Sequence, residues 1–156
     1  AAVNGIAGSA SAAGGGYLTD RLSKAEPRAQ LLLPAAGSLL AIPLWLATLS
    51  AGSLGLSLGA LFCEYLVAEC WFGPTVAALI EGSPPSSRGL AQGLFNTLTL
   101  LGNLAPAALG VLLSSSDTSL PLALGISVPA LYALSAGAFV VASTAQVAAF
   151  EPERSE

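Results

Sequence analysis

Two carboxylates, Glu64 and Glu69, stand inside an otherwise apolar run, Leu54–Ile80, that is long enough to cross a bilayer. The next long run, Gly89–Leu113, carries Gln92, Asn96, Thr99 and Asn103. These four recur at i, i+4, i+7 and i+11, within about 60° of one another on a helix. Ionisable groups at membrane depth are costly, so they usually face a bundle interior or a wet cavity. A desolvated carboxyl there is suited to taking up and releasing a proton. A row of amides and hydroxyls is suited to hydrogen-bonding a solute, water or a neighbouring helix. Glu64, with Tyr65 beside it, is the leading candidate for a coupling or substrate group. Glu69 lies about 140° away and cannot reach the same site unless Pro74 and Gly73 distort the helix. Ser57, Glu64, Trp71 and Thr75 share a face by the same spacing. For Gln92, Asn96, Thr99 and Asn103 both readings, cavity lining and helix-to-helix contact, stay open, and the stripe as a whole favours the cavity.

The elements that hold these groups follow from composition. The chain has 156 residues, 54% hydrophobic and 9% charged, with mean hydropathy +0.75. Soluble domains carry roughly 25% charged residues, and a chain this short still exposes much of its surface. The class is therefore an all-α, polytopic transmembrane helical bundle. The spans are expected at about 1–19, 30–50, 54–80, 89–113 and 121–150. Residues 1–19 are small and uncharged, which suits a closely packed membrane helix. Pro34 and Pro43 are tolerable in a spanning helix, Pro74 is expected to bend its helix near Gly73, and the last run, longer than a span needs, is expected to be tilted, kinked at Pro129 or partly interfacial. Gly55 and Gly59 have the spacing of a close helix contact. Ser114–Ser119, with Asp117, reads as a polar turn, and Glu151–Glu156 as a polar tail. The start on Ala1, without Met, reads as a truncation.

The basic residues order the topology. Arg21, Lys24 and Arg28 lie in one turn, Arg88 two spans later and Arg154 two spans later again. Alternating turns put them all on one side, which the positive-inside rule makes cytoplasmic. The absence of His excludes His-based triads and metal sites. No nucleophile–base set is visible, so an enzyme is not expected, nor a cofactor or metal. The small net charge of −4 and the lack of a basic stripe give no reason to expect a nucleic-acid partner. Cys63 and Cys70 are about 10 Å apart along a helix axis, too far for a disulfide.

Gly16-Tyr17-Leu18-Thr19-Asp20-Arg21-Leu22-Ser23-Lys24 resembles the loop signature of the major facilitator superfamily, with Ser23 where the signature has Gly. Gly14-Gly15 before it and Pro27-Arg28 after it suit the copy between helices 8 and 9. Glu64, Gly73-Pro74, Pro84-Pro85 with Arg88, and Gly102, Pro106 and Gly110 resemble the spinster-like branch. The resemblance implies a partial major facilitator fold, part of helix 8 plus helices 9–12, whose partners are the lipid bilayer and a missing N-terminal transporter half. It implies alternating access and transport of lysolipid or sphingoid-type lipids, often with proton coupling, the main coupling groups being expected in the N-terminal half so that Glu64 is not the sole proton carrier. Gly16, Asp20, Arg21 and Lys24 then belong to the gating loop, Asp20 meeting a helix end of the other half. The alternatives are a facilitator of a small polar solute, such as a sugar or organic anion, and a non-transporting membrane scaffold.

Overall fold

A computed structural model describes residues 2–114 and 119–150. The expected polar turn around Asp117 and the tail with Arg154 lie outside the described residues. Every element within them is helical: α1 (Ala2–Ser23), α2 (Ala29–Ser50), α3 (Leu54–Ala68), α4 (Phe72–Glu81), α5 (Arg88–Gly102), α6 (Ala105–Ser114) and α7 (Leu120–Phe150). Four stretches are long and apolar enough to span a membrane: Ala29–Ser50, Leu54–Glu81, Arg88–Val111 and Leu120–Gln146. Helix α1 has 22 residues but is not apolar enough to join them. The described residues are thus all-helical outside the turns, and four candidate spans are consistent with a multi-pass membrane protein.

The prolines decide where these stretches break. Pro74 cannot donate to the carbonyl of Cys70, and its ring crowds that carbonyl. The backbone answers with a tighter 3-10 turn over Glu69–Trp71, which joins α3 to α4. Pro106 acts likewise on Gly102, and α5 and α6 are separated at Asn103 and Leu104. Helix α2 runs unbroken past Pro34 and Pro43, as α7 does past Pro129. Ser53 caps α3 by accepting a hydrogen bond from the Leu56 N–H at 3.4 Å.

Packing is the reverse of a soluble core. The interior holds Ala7, Ala35, Ala41, Ala68 and Ala136, with Ser11, Thr19, Ser38 and Ser143, while Leu56, Leu98, Leu134 and many other large apolar side chains point outward. Between membrane helices, small residues permit close backbone approach, and lipid solvates the leucines. The chain exposes 9683 Å²; a compact soluble monomer of 15.4 kDa would expose about 7,200 Å². The surplus is what a partly covered bundle needs lipid or further helices to cover. Helix α2 is central, with its broadest contacts to α7 and α3, and α1 lies against α3 and the 3-10 turn. Helix α5 packs mainly on α4, and among the described residues α6 makes no comparably broad contact with another helix.

The close approaches are not where the Gly55–Gly59 spacing put them. Both glycines are exposed and nothing lies near either. The tight points are Gly15 of α1 and Gly37 of α2, which converge on one place in the third span. A Cβ on Gly15 would lie 2.7 Å from the Cys70 Cβ, and one on Gly37 would lie 2.5 Å from the Val67 carbonyl oxygen and 2.7 Å from the Cys70 Sγ. On α1 the buried ladder Ala7, Ser11, Gly15 and Thr19 repeats every fourth residue, one face of a helix.

Candidate functional site

Helix α3 carries Glu64 ten residues past its start at Leu54, about 15 Å along the axis, which is mid-span. The side chain is 2% exposed. Its carboxylate Oε1 accepts a hydrogen bond from the Tyr132 hydroxyl of α7. Tyr132 is likewise mid-span, twelve residues past Leu120, so acid and phenol meet at one depth. The groups that act on Glu64 are Tyr132 and the charge of Glu69, with no Lys or Arg among them. Among the described residues, the carboxyl is thus held by a neutral donor and not by a cation.

Glu69 turns elsewhere, as the helical spacing required. Its Cγ lies 3.8 Å from where a Cβ of Gly8 would stand on α1. Tyr65 also turns to α1, within reach of the Asn4 side chain. The third span therefore presents one acid to α7, and a second acid with a phenol to α1. Trp71 and Thr75 do not continue the Glu64 face. Trp71 packs edge-on against Phe72, with ring centroids 5.6 Å apart, and against Phe95 of α5 at 6.1 Å. The Thr75 hydroxyl donates to the Trp71 carbonyl at 2.6 Å, and that of Ser57 to the Thr48 carbonyl at 2.9 Å.

The stripe on α5 stands apart from Glu64. Gln92 Nε2 donates to Asn96 Oδ1 at 3.1 Å, and the Thr99 hydroxyl donates to the Phe95 carbonyl at 3.0 Å. Gln92 and Thr99 are half-buried, whereas Asn96 and Asn103 are exposed. The Gln92 carbonyl oxygen is buried without a partner. Asn103 lies in the break between α5 and α6, where its backbone N–H closes the end of α5 on the Thr99 and Leu100 carbonyls.

The charged segment Asp20–Arg28 is only partly a loop. Helix α1 continues through Asp20 and Arg21 to Ser23, because nothing in that stretch interrupts it before Pro27. Gly16 is half-buried, and Asp20, Arg21 and Lys24 are exposed. The Arg21 guanidinium sits over the Tyr17 ring, 5.5 Å from its centroid.

No family model, curated protein or solved structure matches this chain.

Two polar clasps were not visible in the sequence. At one end of the bundle Gln30 of α2, 7% exposed, donates through Nε2 to Glu81 Oε2 of α4 at 3.2 Å. Its Oε1 accepts from Gln146 Nε2 of α7 at 2.7 Å. At the other end the Trp45 indole N–H donates to the Leu124 carbonyl at 3.1 Å. Each partner lies 51 to 116 residues away along the chain. The only available hint was that Gln30 and Gln146 are lone amides at the ends of apolar runs. Tyr132, the partner of Glu64, is the one phenol in the last span.

Proposed function

We propose that this chain is part of a secondary transporter of the major facilitator type, from its spinster-like branch. It would move a lysolipid or sphingoid-type lipid by alternating access, with proton coupling. The observation that carries the proposal is the Glu64 carboxyl, buried at mid-span on a neutral phenol of another helix. Holding an acid there without a cation is costly unless its protonation or its exchange of partners is used. The signature-like stretch Gly16–Lys24 and the all-on-one-side arrangement of the basic residues support the same reading. On that reading the turn with Arg28, the turn with Arg88 and the C-terminus face the cytoplasm. The remaining half of the transporter would cover the faces that α5 and α6 leave open.

A second reading, a facilitator for a small polar solute, draws on the Gln92–Asn96 amide pair and the partnerless Gln92 oxygen on α5. Uptake by the full-length protein in proteoliposomes separates the two. The panel contains lysolipids, sphingoid lipids, sugars and organic anions, each with and without a pH gradient. Lipid uptake that responds to the gradient and is lost in Glu64→Gln, with folding intact, supports the first reading. Sugar or organic-anion uptake lost in Asn96→Ala supports the second. No uptake of any compound, with both variants altering only stability or partner binding, points to a membrane scaffold and refutes both.

A further inference from the structure

Glu69 is the acid of the third span that the Glu64–Tyr132 pair leaves unused. It stands fifteen residues past Leu54 and twelve before Glu81, about 22 and 18 Å along the axis from the two ends. A carboxylate at that depth is costly unless something answers it. Among the described residues no hydrogen bond or ion pair is made to it, yet its oxygens are not sealed from the surface. Glu64, by contrast, is closed off by Tyr132. Two further oxygens stand on the same side. Tyr65, half-buried, lies one turn before Glu69, whose backbone N–H bonds to the Tyr65 carbonyl. Asn4 of α1 is exposed, one turn before Gly8, and its side chain is within reach of Tyr65. Asn4 Oδ1 and Glu69 Cγ both come within 4 Å of the single point where a Cβ of Gly8 would stand. Having no side chain, Gly8 leaves that point open between them.

We infer that Asn4, Tyr65 and Glu69 form a site for a primary ammonium group on the transported solute. The inference rests on the transport reading and narrows its lipid classes to those with a free amine. The three side chains offer a carboxylate, an amide oxygen and a phenol oxygen. A primary ammonium has three N–H donors and no acceptor, so each oxygen can take one. The charges also match, one against one, and hydrogen bonds between ionised groups are the strong ones. A divalent metal fits poorly. Calcium takes about 6–8 oxygens and magnesium about six, and no group of three His, Cys, Asp or Glu side chains occurs among the described residues. A quaternary ammonium has no N–H to give and is held by a cage of aromatic faces. Tyr65 supplies one ring, and Trp71, Phe72 and Phe95 pack on one another instead. The two acids thus divide the work. Glu64, sealed against α7, can exchange a proton without meeting the solute, and Glu69, open on the α1 side, can meet the solute.

The test is a binding measurement. The full-length protein in phosphatidylcholine nanodiscs is titrated with tritiated sphinganine, which carries a free amine. Unlabelled sphinganine and N-acetylsphinganine, whose amine is capped and uncharged, serve as competitors. In the parent the capped compound should compete roughly ten- to a hundredfold less well, the worth of a hydrogen bond to a charged group. Glu69→Gln should weaken sphinganine by a similar factor and bring the two competitors together. Glu69→Asp, which keeps the charge, should retain part of the preference. Tyr65→Phe keeps the ring and should lower the preference by roughly fivefold. It decides alone if the Glu69 variants do not fold. No saturable binding of sphinganine overturns the inference, as does a preference unchanged in Glu69→Gln or in Tyr65→Phe. Displacement of sphinganine by sodium chloride, but not by choline chloride at equal strength, also overturns it, since the site then belongs to a metal ion. Amine-selective binding without uptake of any compound refutes the transport reading and leaves the site standing. Gradient-driven lipid uptake with no preference for the amine does the reverse.

Discussion

Adding one methyl group to Gly37 should weaken the bundle more than any other glycine-to-alanine change tested alone, apart from Gly15. The new Cβ would stand 2.5 Å from the Val67 carbonyl oxygen and 2.7 Å from the Cys70 Sγ. Ordinary contact begins near 3.4 Å, so α2 and the third span must part by most of an ångström. Overpacking of that kind costs about 1–3 kcal/mol, while replacing a mid-helix glycine by alanine returns roughly 0.5–1 kcal/mol. The net expectation is a loss of about 1–2 kcal/mol. Gly55→Ala meets nothing within 4 Å and keeps only the gain. The pair is compared by equilibrium unfolding of the full-length protein in mild detergent with increasing SDS. A second step separates the two clashing atoms. Cys70→Ala in the Gly37→Ala background removes the sulfur but not the Val67 oxygen, so it recovers part of the loss. In the Gly15→Ala background it recovers none, because that clash is with the Cys70 Cβ and backbone. Equal stability changes in Gly37→Ala and Gly55→Ala, or full recovery in the Gly15 background, would refute this packing.

Tyr132→Phe strands the Glu64 carboxyl without its donor and should cost about 1–3 kcal/mol, read in the same unfolding assay. Glu64→Gln keeps a group that accepts from Tyr132 and should stay within about 1 kcal/mol of the parent. Gln30→Leu leaves both the Glu81 and Gln146 side chains short of a partner and should lower stability by about 1–3 kcal/mol. Because Glu81 is exposed and can turn to water, the lower half of that range is expected. Trp45→Phe gives up the bond to the Leu124 carbonyl and should cost about 0.5–1.5 kcal/mol, with slower proteolysis of the parent than of the variant at the α2–α3 turn.

The helices themselves were legible because length and hydropathy act locally, and the bend near Pro74 was legible because a missing N–H is local too. Its form was not. The residue that suffers is the acceptor one turn earlier, so the 3-10 turn falls at Glu69–Trp71 and not at Gly73. The same logic applied to Pro106 accounts for the break at Asn103–Leu104, which the unbroken hydropathy of 89–113 hides. The divergence of Glu64 and Glu69 followed from helical geometry and holds in three dimensions. What each of them meets did not follow. Tyr132 is 68 residues from Glu64, and no period in either helix encodes that pairing. The Gly55–Gly59 spacing misled because a spacing says which residues share a face, not whether another helix arrives there. The small residues that do meet a neighbour, Gly15 and Gly37, belong to different helices and have no common motif.

The inverted packing has a consequence for how such a chain drifts. Alanine, glycine and serine give up little or no side-chain freedom when helices dock, so assembly here relies on shape at a few points rather than on bulk. The leucines on the outside need only remain oily. Val in place of Leu98 or Ile in place of Leu134 should pass almost unnoticed, whereas a single carbon at Gly37 does not. Over generations the outer sequence is free to scatter while the inner ladder stays nearly fixed.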